Sequence, residues 1–138
     1  MEKYMEIAYK EAIKAFKKNE IPVGAVIVKN NKILAKARNT RQYAHNLLGH
    51  AEINCIIKAE KKLKDWRLDE CVLYVTLEPC EMCKIHIKES RINKVIYLLS
   101  KKSVKNEQNF NFLQTNDCER LKKSYQLLIN QYFENLRK

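Results

Sequence analysis

The first seventeen or so residues alternate with helical spacing. Met5, Ala8, Ala12, Ala15 and Phe16 fall on one face, and lysines and glutamates occupy the rest, so residues 2–18 are expected as an amphipathic helix. Pro22 ends that pattern. Residues 23–28, Val-Gly-Ala-Val-Ile-Val, are a continuous apolar run of strand type. Asn30-Asn31 is a turn signal, and residues 32–38 read as the returning strand of a hairpin. Polar residues 39–49 read as a loop. A second helix is expected from about His50 to Lys64, with Ile53, Ile56, Ile57 and Leu63 toward the core.

Residues 71–77, Cys-Val-Leu-Tyr-Val-Thr-Leu, give the clearest buried strand. Pro79 suits the start of a helix, where its missing N–H is not needed, and that helix is expected over about 80–89. Residues 94–99 form the next strand. Strand, helix, strand in this order predicts a parallel pair joined by a right-handed crossover. A polar stretch follows Ser100 and reads as a loop, and residues 110–116 carry a weaker strand pattern. Residues 118–137 read as a long helix with Leu121, Tyr125, Leu128, Ile129, Tyr132, Phe133 and Leu136 as its stripe.

Composition narrows the class. The 138 residues suffice for one domain with a core of its own. No apolar run reaches membrane-spanning length, and the opening residues lack the apolar block of a signal peptide, so a cytoplasmic location is expected. The net charge of +11, from 27 basic and 16 acidic residues, attracts polyanions, among which nucleic acid is the commonest in a cell. Solvated surface lysine is the alternative. Five cysteines, an odd number, argue for metal or free thiols over a disulfide framework. Cys55, Cys71 and Cys118 stand alone and read as small buried apolar residues.

Two motifs carry chemistry: His50-Ala51-Glu52 and Pro79-Cys80-Glu81-Met82-Cys83, each opening an expected helix. Two cysteines three apart at a helix N-terminus can face one ion, and the exposed N–H groups there favour thiolate. His50 can add a third ligand if the two helix starts meet. Three protein ligands to zinc leave a position for water, the arrangement of a catalytic rather than a structural site. Glu52 lies near such an ion and suits a proton shuttle. Two other readings stay open. A structural site needs a fourth ligand, for which Cys55, Cys71, His45 and His86 are the candidates without obvious spacing. A redox Cys-x-x-Cys would leave His50 and Glu52 as bystanders.

The order H-x-E then P-C-x-x-C is the signature of zinc-dependent nucleobase deaminases. With Pro22-Val23-Gly24-Ala25-Val26, His50-Ala51-Glu52-Ile53, residues 74–83 (Tyr-Val-Thr-Leu-Glu-Pro-Cys-Glu-Met-Cys) and Ser90-Arg91-Ile92, the chain resembles the bacterial tRNA-specific adenosine deaminase family of the cytidine deaminase-like superfamily. The resemblance covers roughly residues 4–100 and returns at Leu127-Leu128 and Tyr132-Phe133. It implies an α/β fold, a three-layer α/β/α cytidine deaminase-like arrangement with a central mixed sheet of about five strands. It implies a homodimer, and residues 1–138 as a single zinc-dependent deaminase domain. The implied reaction turns adenosine into inosine at the wobble position of a tRNA anticodon loop. The implied site is His50, Cys80 and Cys83 on one zinc ion per chain, Glu52 as proton shuttle and Asn39 holding the base. Asn39 on its own would read as a loop cap. Tyr132, Phe133, Arg137 and Lys138 can add stacking and phosphate contacts, or the aromatics can serve as helix core.

The chain departs from the family in three places. Lys84-Ile85-His86 follow Cys83 where small residues are usual, Lys101-Lys102 stand where an Asp in a glycine-containing loop is usual, and residues 100–118 are short. These departures motivate a second reading, deamination of a free base, nucleoside or nucleotide of guanine or cytosine type. The basic charge motivates a third, a zinc-bearing RNA-binding subunit without catalysis, against which Glu52 argues.

Overall fold

A computed structural model describes residues 2–41, 48–101, 112–115 and 118–137. Its elements in chain order are α1 (Glu2–Lys17), β1 (Gly24–Lys29), β2 (Lys32–Arg38), α2 (Ala51–Leu63), β3 (Cys71–Leu77), α3 (Glu81–Glu89), β4 (Lys94–Leu99), β5 (Phe112–Gln114) and α4 (Glu119–Leu136). The five strands form one mixed sheet in the order β2-β1-β3-β4-β5. β1 pairs antiparallel with β2 and β3, and β3–β4 and β4–β5 are parallel. The expected βαβ unit is therefore β3-α3-β4, and the weak pattern at 110–116 resolves into the short edge strand β5.

The unbroken apolar runs have a physical reason: each central strand is covered on both faces. Side chains alternate across the sheet, so Ala25 and Ile27 of β1, Leu73 and Val75 of β3 and Val95 of β4 meet Ala51, Cys55, Ile56 and Ala59 of α2 and Ile87 of α3. Val26, Val28, Tyr74, Ile96 and Leu98 point the other way and meet Tyr4, Met5, Ala8 and Ala12 of α1 and Tyr125 of α4. The result is the three-layer α/β/α arrangement with a mixed five-stranded sheet that the sequence predicted. The β1–β2 hairpin turns on two residues, Asn30 (φ 51°) and Asn31 (φ 62°), the left-handed pair that a tight hairpin requires and asparagine tolerates.

Gly24 shows how closely α1 lies on β1. A Cβ at that position would collide with the Ala8 carbonyl oxygen and stand 2.7 Å from the Ala12 nitrogen. The Gly24 N–H donates to the buried Thr76 Oγ1 at 3.1 Å, which ties β1 to the end of β3.

Some expected core positions lie elsewhere. Ile57 is 45% exposed and Phe16 half-buried. Pro79 precedes the N-cap, which is Cys80, and does not occupy the first helical turn. The stripe of α4 is buried fully only at Tyr125, while Phe133 and Leu136 face outward. Cys55, Cys71 and Cys118 are buried and outside any disulfide, as their isolation predicted. Among the described residues no helix is long and apolar enough to cross a membrane. Residues 42–47 of the expected 39–49 loop, and 102–111 of the stretch after Ser100, lie outside the described residues.

The Tyr125 hydroxyl donates to the Pro22 carbonyl at 2.7 Å across the packed layer. Tyr125→Phe is expected to leave that buried carbonyl short of a partner and to lower unfolding stability by about 1–3 kcal/mol. Urea denaturation with an unchanged m-value checks it, and a variant as stable as the parent contradicts it.

Candidate active site

Two helix N-termini meet at one end of the sheet. His50 is the N-cap of α2 in extended backbone (φ −83°, ψ 147°), and Cys80 is the N-cap of α3 (φ −75°, ψ 171°). Neither side chain caps its own helix. Both are therefore turned to other use.

Several bonds fix the start of α2. The Ala51 N–H donates to the Asn39 Oδ1 at 2.7 Å, so Asn39 supplies the cap that His50 does not. Asn54 Nδ2 donates to the Arg38 carbonyl and to Thr40 Oγ1, each at 2.9 Å. The Thr40 N–H donates to the Gly49 carbonyl at 2.7 Å, and a Cβ on Gly49 would stand 2.8 Å from the Arg41 nitrogen. The end of β2 and the start of α2 are thus laced together, and His50 is held in place by backbone on both sides.

His50 Nδ1 lies 3.3 Å from Cys83 Sγ and 3.7 Å from Cys80 Sγ. All three ligand atoms fall within 4.8 Å of one another, and no other such group of three is found among the described residues. Zinc bond lengths of roughly 2.0–2.3 Å at tetrahedral angles place ligand atoms about 3.5–3.8 Å apart. The two His50 distances lie within a few tenths of an ångström of that spacing, so the group can hold one zinc ion. Among the described residues no fourth His, Cys or carboxylate joins the group. Of the four candidates for a closed structural site, His45 lies outside the described residues, and Cys55, Cys71 and His86 are not in the cluster.

The charges suit a metal as well. The Cys83 thiol donates to Cys80 and holds it down at about 4, well below an ordinary thiol. The same contact, with burial, pushes Cys83 upward. Two sulfurs sharing a proton in this way are the metal-free counterpart of two thiolates sharing a cation. Burial pushes the Glu52 carboxyl up to about 7, against the pull of its own backbone N–H. Glu52 is 4% exposed in the first turn of α2, so this carboxyl sits close to balance between its two protonation states at neutral pH.

These groups open onto a cavity of about 210 Å³ lined by Ile21, Val23, Asn39, Arg41, His50, Glu52, Leu77, Glu78, Cys80 and Lys101. Drug-sized ligands need roughly 300–1,000 Å³, so this space suits a single base. Every residue expected at the site is at the cavity or the metal group: His50, Cys80, Cys83, Glu52 and Asn39. Arg41, Glu78 and Lys101 were not expected. Glu78 adjoins the cysteine motif and Lys101 stands at one of the departures from the resembled family, so both were there to be found, but Arg41 sits in no pattern and only folding brings it in. Tyr132 is half-buried. Burial pushes its phenol up, with Glu20 adding to the shift and Arg41 opposing it, which puts Tyr132 within electrostatic reach of the cavity rim. Phe133 and Arg137 are exposed, and Lys138 lies outside the described residues.

Comparison with known proteins gives this geometry a family. Over 96 residues the chain is 48% identical to a tRNA-specific adenosine deaminase of Bacillus subtilis, a match covering 70% of this chain and 60% of the relative. The match thus spans less than two thirds of that curated relative's length. A solved structure from a study of A-to-I editing by tRNA:A34 deaminases at the wobble position of transfer RNA superposes with a TM-score of 0.74 at 30% identity, over 81% of this chain and 96% of the other. The guanine deaminase of Bacillus subtilis superposes with a TM-score of 0.69, also at 30% identity, over 94% and 93%. Residues 1–99 match the family described as the cytidine and deoxycytidylate deaminase zinc-binding region. With that match over most of its length and the three metal-facing side chains in place, the chain belongs to the cytidine and deoxycytidylate deaminase family.

Proposed function

We propose that this chain is a zinc-dependent hydrolytic deaminase that converts adenosine to inosine at the wobble position of a tRNA anticodon. The observation that carries the chemistry is a buried carboxyl, Glu52, beside a three-ligand group on one wall of a base-sized cavity. His50, Cys80 and Cys83 hold the zinc ion. When bound, zinc lowers the pKa of water to about 7 and so supplies a nucleophile at neutral pH.

The chain's own residues do the rest. Glu52 takes the proton of the attacking water as its oxygen adds to carbon 6 and delivers that proton to the ring nitrogen beside it. Glu52 then carries the second proton to the departing amine. The carbon–nitrogen bond breaks, ammonia leaves and the carbonyl of inosine remains. Asn39, its oxygen fixed on Ala51, presents its amide nitrogen to the base. Leu77, Val23 and Ile21 supply apolar wall.

The substrate assignment rests on the name of the 48%-identical relative and on the +11 charge. A base in an anticodon loop is single-stranded and splays out at little cost. The test is inosine formation on a synthetic anticodon stem-loop by zinc-loaded protein. No inosine there, with ammonia released from free guanine, transfers the assignment to a small purine, the substrate class named for the second structural neighbour. A chain that binds the stem-loop and deaminates nothing gives the non-catalytic reading.

The same reading takes residues 1–138 as one deaminase domain, acting in the cytoplasm, where the thiols of the metal group stay reduced. It takes the assembly as a homodimer. Ile57 of α2 (45% exposed) and Ile85 of α3 (63% exposed) are large apolar side chains on adjoining helices and suit a covered face. Sedimentation velocity is expected to return twice the chain mass at micromolar concentration, and a monomer there rejects the dimer.

A further inference from the structure

The mechanism above leaves one arrangement at the cavity unused. Lys101 lines it beside His50, Glu52 and Cys80, just past the end of β4. Its position is fixed by main chain: the Lys101 N–H donates to Glu78 Oε1 at 2.8 Å, and the Glu78 N–H donates to the Leu99 carbonyl at 2.9 Å. The other oxygen of Glu78 faces Lys84 Nζ at 3.8 Å, and both side chains are only 5% exposed. Lys84 also approaches Glu81 at 3.6 Å and lies over the Phe112 ring at 5.5 Å.

A buried lysine and glutamate are a costly way to fill space, since apolar residues of the same volume are often as stabilising. What the pair does is set a position. Through Glu78 and Phe112, Lys84 is tied to both flanks of residues 102–111, and one flank is Lys101 itself. Arg41 lines the same cavity. Two cations therefore stand on a cavity whose interior suits a neutral base.

We infer that Lys101, held in register by Glu78 and Lys84, and Arg41, which shares the cavity lining, contact the phosphates on either side of the target nucleotide. Lys101 and Arg41 are specificity determinants for a base carried in a polynucleotide. Glu78 and Lys84 are positioning residues that touch no substrate. This rests on the RNA reading above, and the chemistry is direct: a flipped nucleotide leaves its two phosphates at the mouth of the pocket, where a cation on each side neutralises them.

The test measures binding of the inosine-containing product stem-loop, which cannot turn over, to zinc-loaded protein by fluorescence anisotropy across a salt series. For single strands each phosphate contact contributes about 0.7 to the slope of log K against log salt. Lys101→Gln is expected to reduce the slope by about that much, Lys101→Arg to restore it, and Arg41→Gln to reduce it again. Lys84→Met is expected to shift the slope in the same direction with zinc content unchanged. Lys101 and Arg41 are only partly buried, so their variants report even if Lys84→Met fails to fold. Weaker binding with an unchanged slope for Lys101→Gln overturns the inference, because a merely structural role moves affinity and leaves counterion release alone. Parent protein that deaminates the adenosine stem-loop while the Lys101→Gln slope is unchanged overturns this inference alone. Parent protein that neither binds nor deaminates it overturns the RNA reading as well.

Discussion

Glu52→Gln is expected to lower deaminase turnover by at least about 100-fold while leaving zinc content and fold unchanged. The amide has the size and shape of the carboxyl, so the first turn of α2 and the cavity wall keep their packing. What it lacks is a lone pair basic enough to take a proton, and a general acid–base of this kind contributes about 10²–10⁴-fold. The site is arranged for that role. Burial holds the Glu52 carboxyl at about 7, where it can both accept and return a proton near neutral pH. Single-turnover assays on the stem-loop, with zinc measured by emission spectroscopy on the same sample, check the result. Turnover within a few-fold of the parent, at full zinc occupancy, removes Glu52 from the mechanism.

Loss of the metal is the second large effect. Cys83→Ser is expected to lose zinc and, with it, activity on any base. Serine's hydroxyl does not ionise near neutral pH, and zinc takes thiolate in preference. Cys83 is fully buried beside His50 Nδ1, and its neighbour Cys80 is already committed to the same group. The loss extends to stability. A ligand bound only to the folded state adds about 4 kcal/mol when its free concentration is a thousand times its Kd. Treating the parent with a chelator is expected to lower its Tm, and the same treatment is expected to do nothing to Cys83→Ser. Cys55→Ser serves as the control: it is a buried thiol 3.5 Å from the Ala35 carbonyl and outside the metal group, so its zinc content is expected to match the parent. One zinc per chain in Cys83→Ser, with ordinary turnover, refutes the ligand assignment.

The elements were legible because their signals are local. The apolar run at 71–77 is a strand from Cys71 to Leu77, the hairpin partner at 32–38 is a strand over the same residues, and the helix expected from His50 has His50 at its N-cap position. Local pattern also put the sulfurs three apart at a helix start, where N–H groups and dipole favour thiolate. It failed where a face's fate depends on what lies opposite. Ile57 shares the spacing of Ile53 and Ile56 and is exposed all the same, although Ala59, further along α2, is fully buried. Phe133 and Leu136 share the stripe of Tyr125 and are exposed as well.

By itself, then, the sequence determined the alternation of strands and helices, the chemical types of the metal group and the carboxylate two residues beyond its histidine, since all of these are written within a few residues of one another. The tertiary structure alone decided that His50 meets sulfurs thirty and thirty-three positions away at 3.7 and 3.3 Å, that Asn39 serves as the cap of α2, and that Arg41, Glu78 and Lys101 share the cavity. The physical reason is that contacts across a sheet depend on strand order and register, and no periodicity within one segment carries that information.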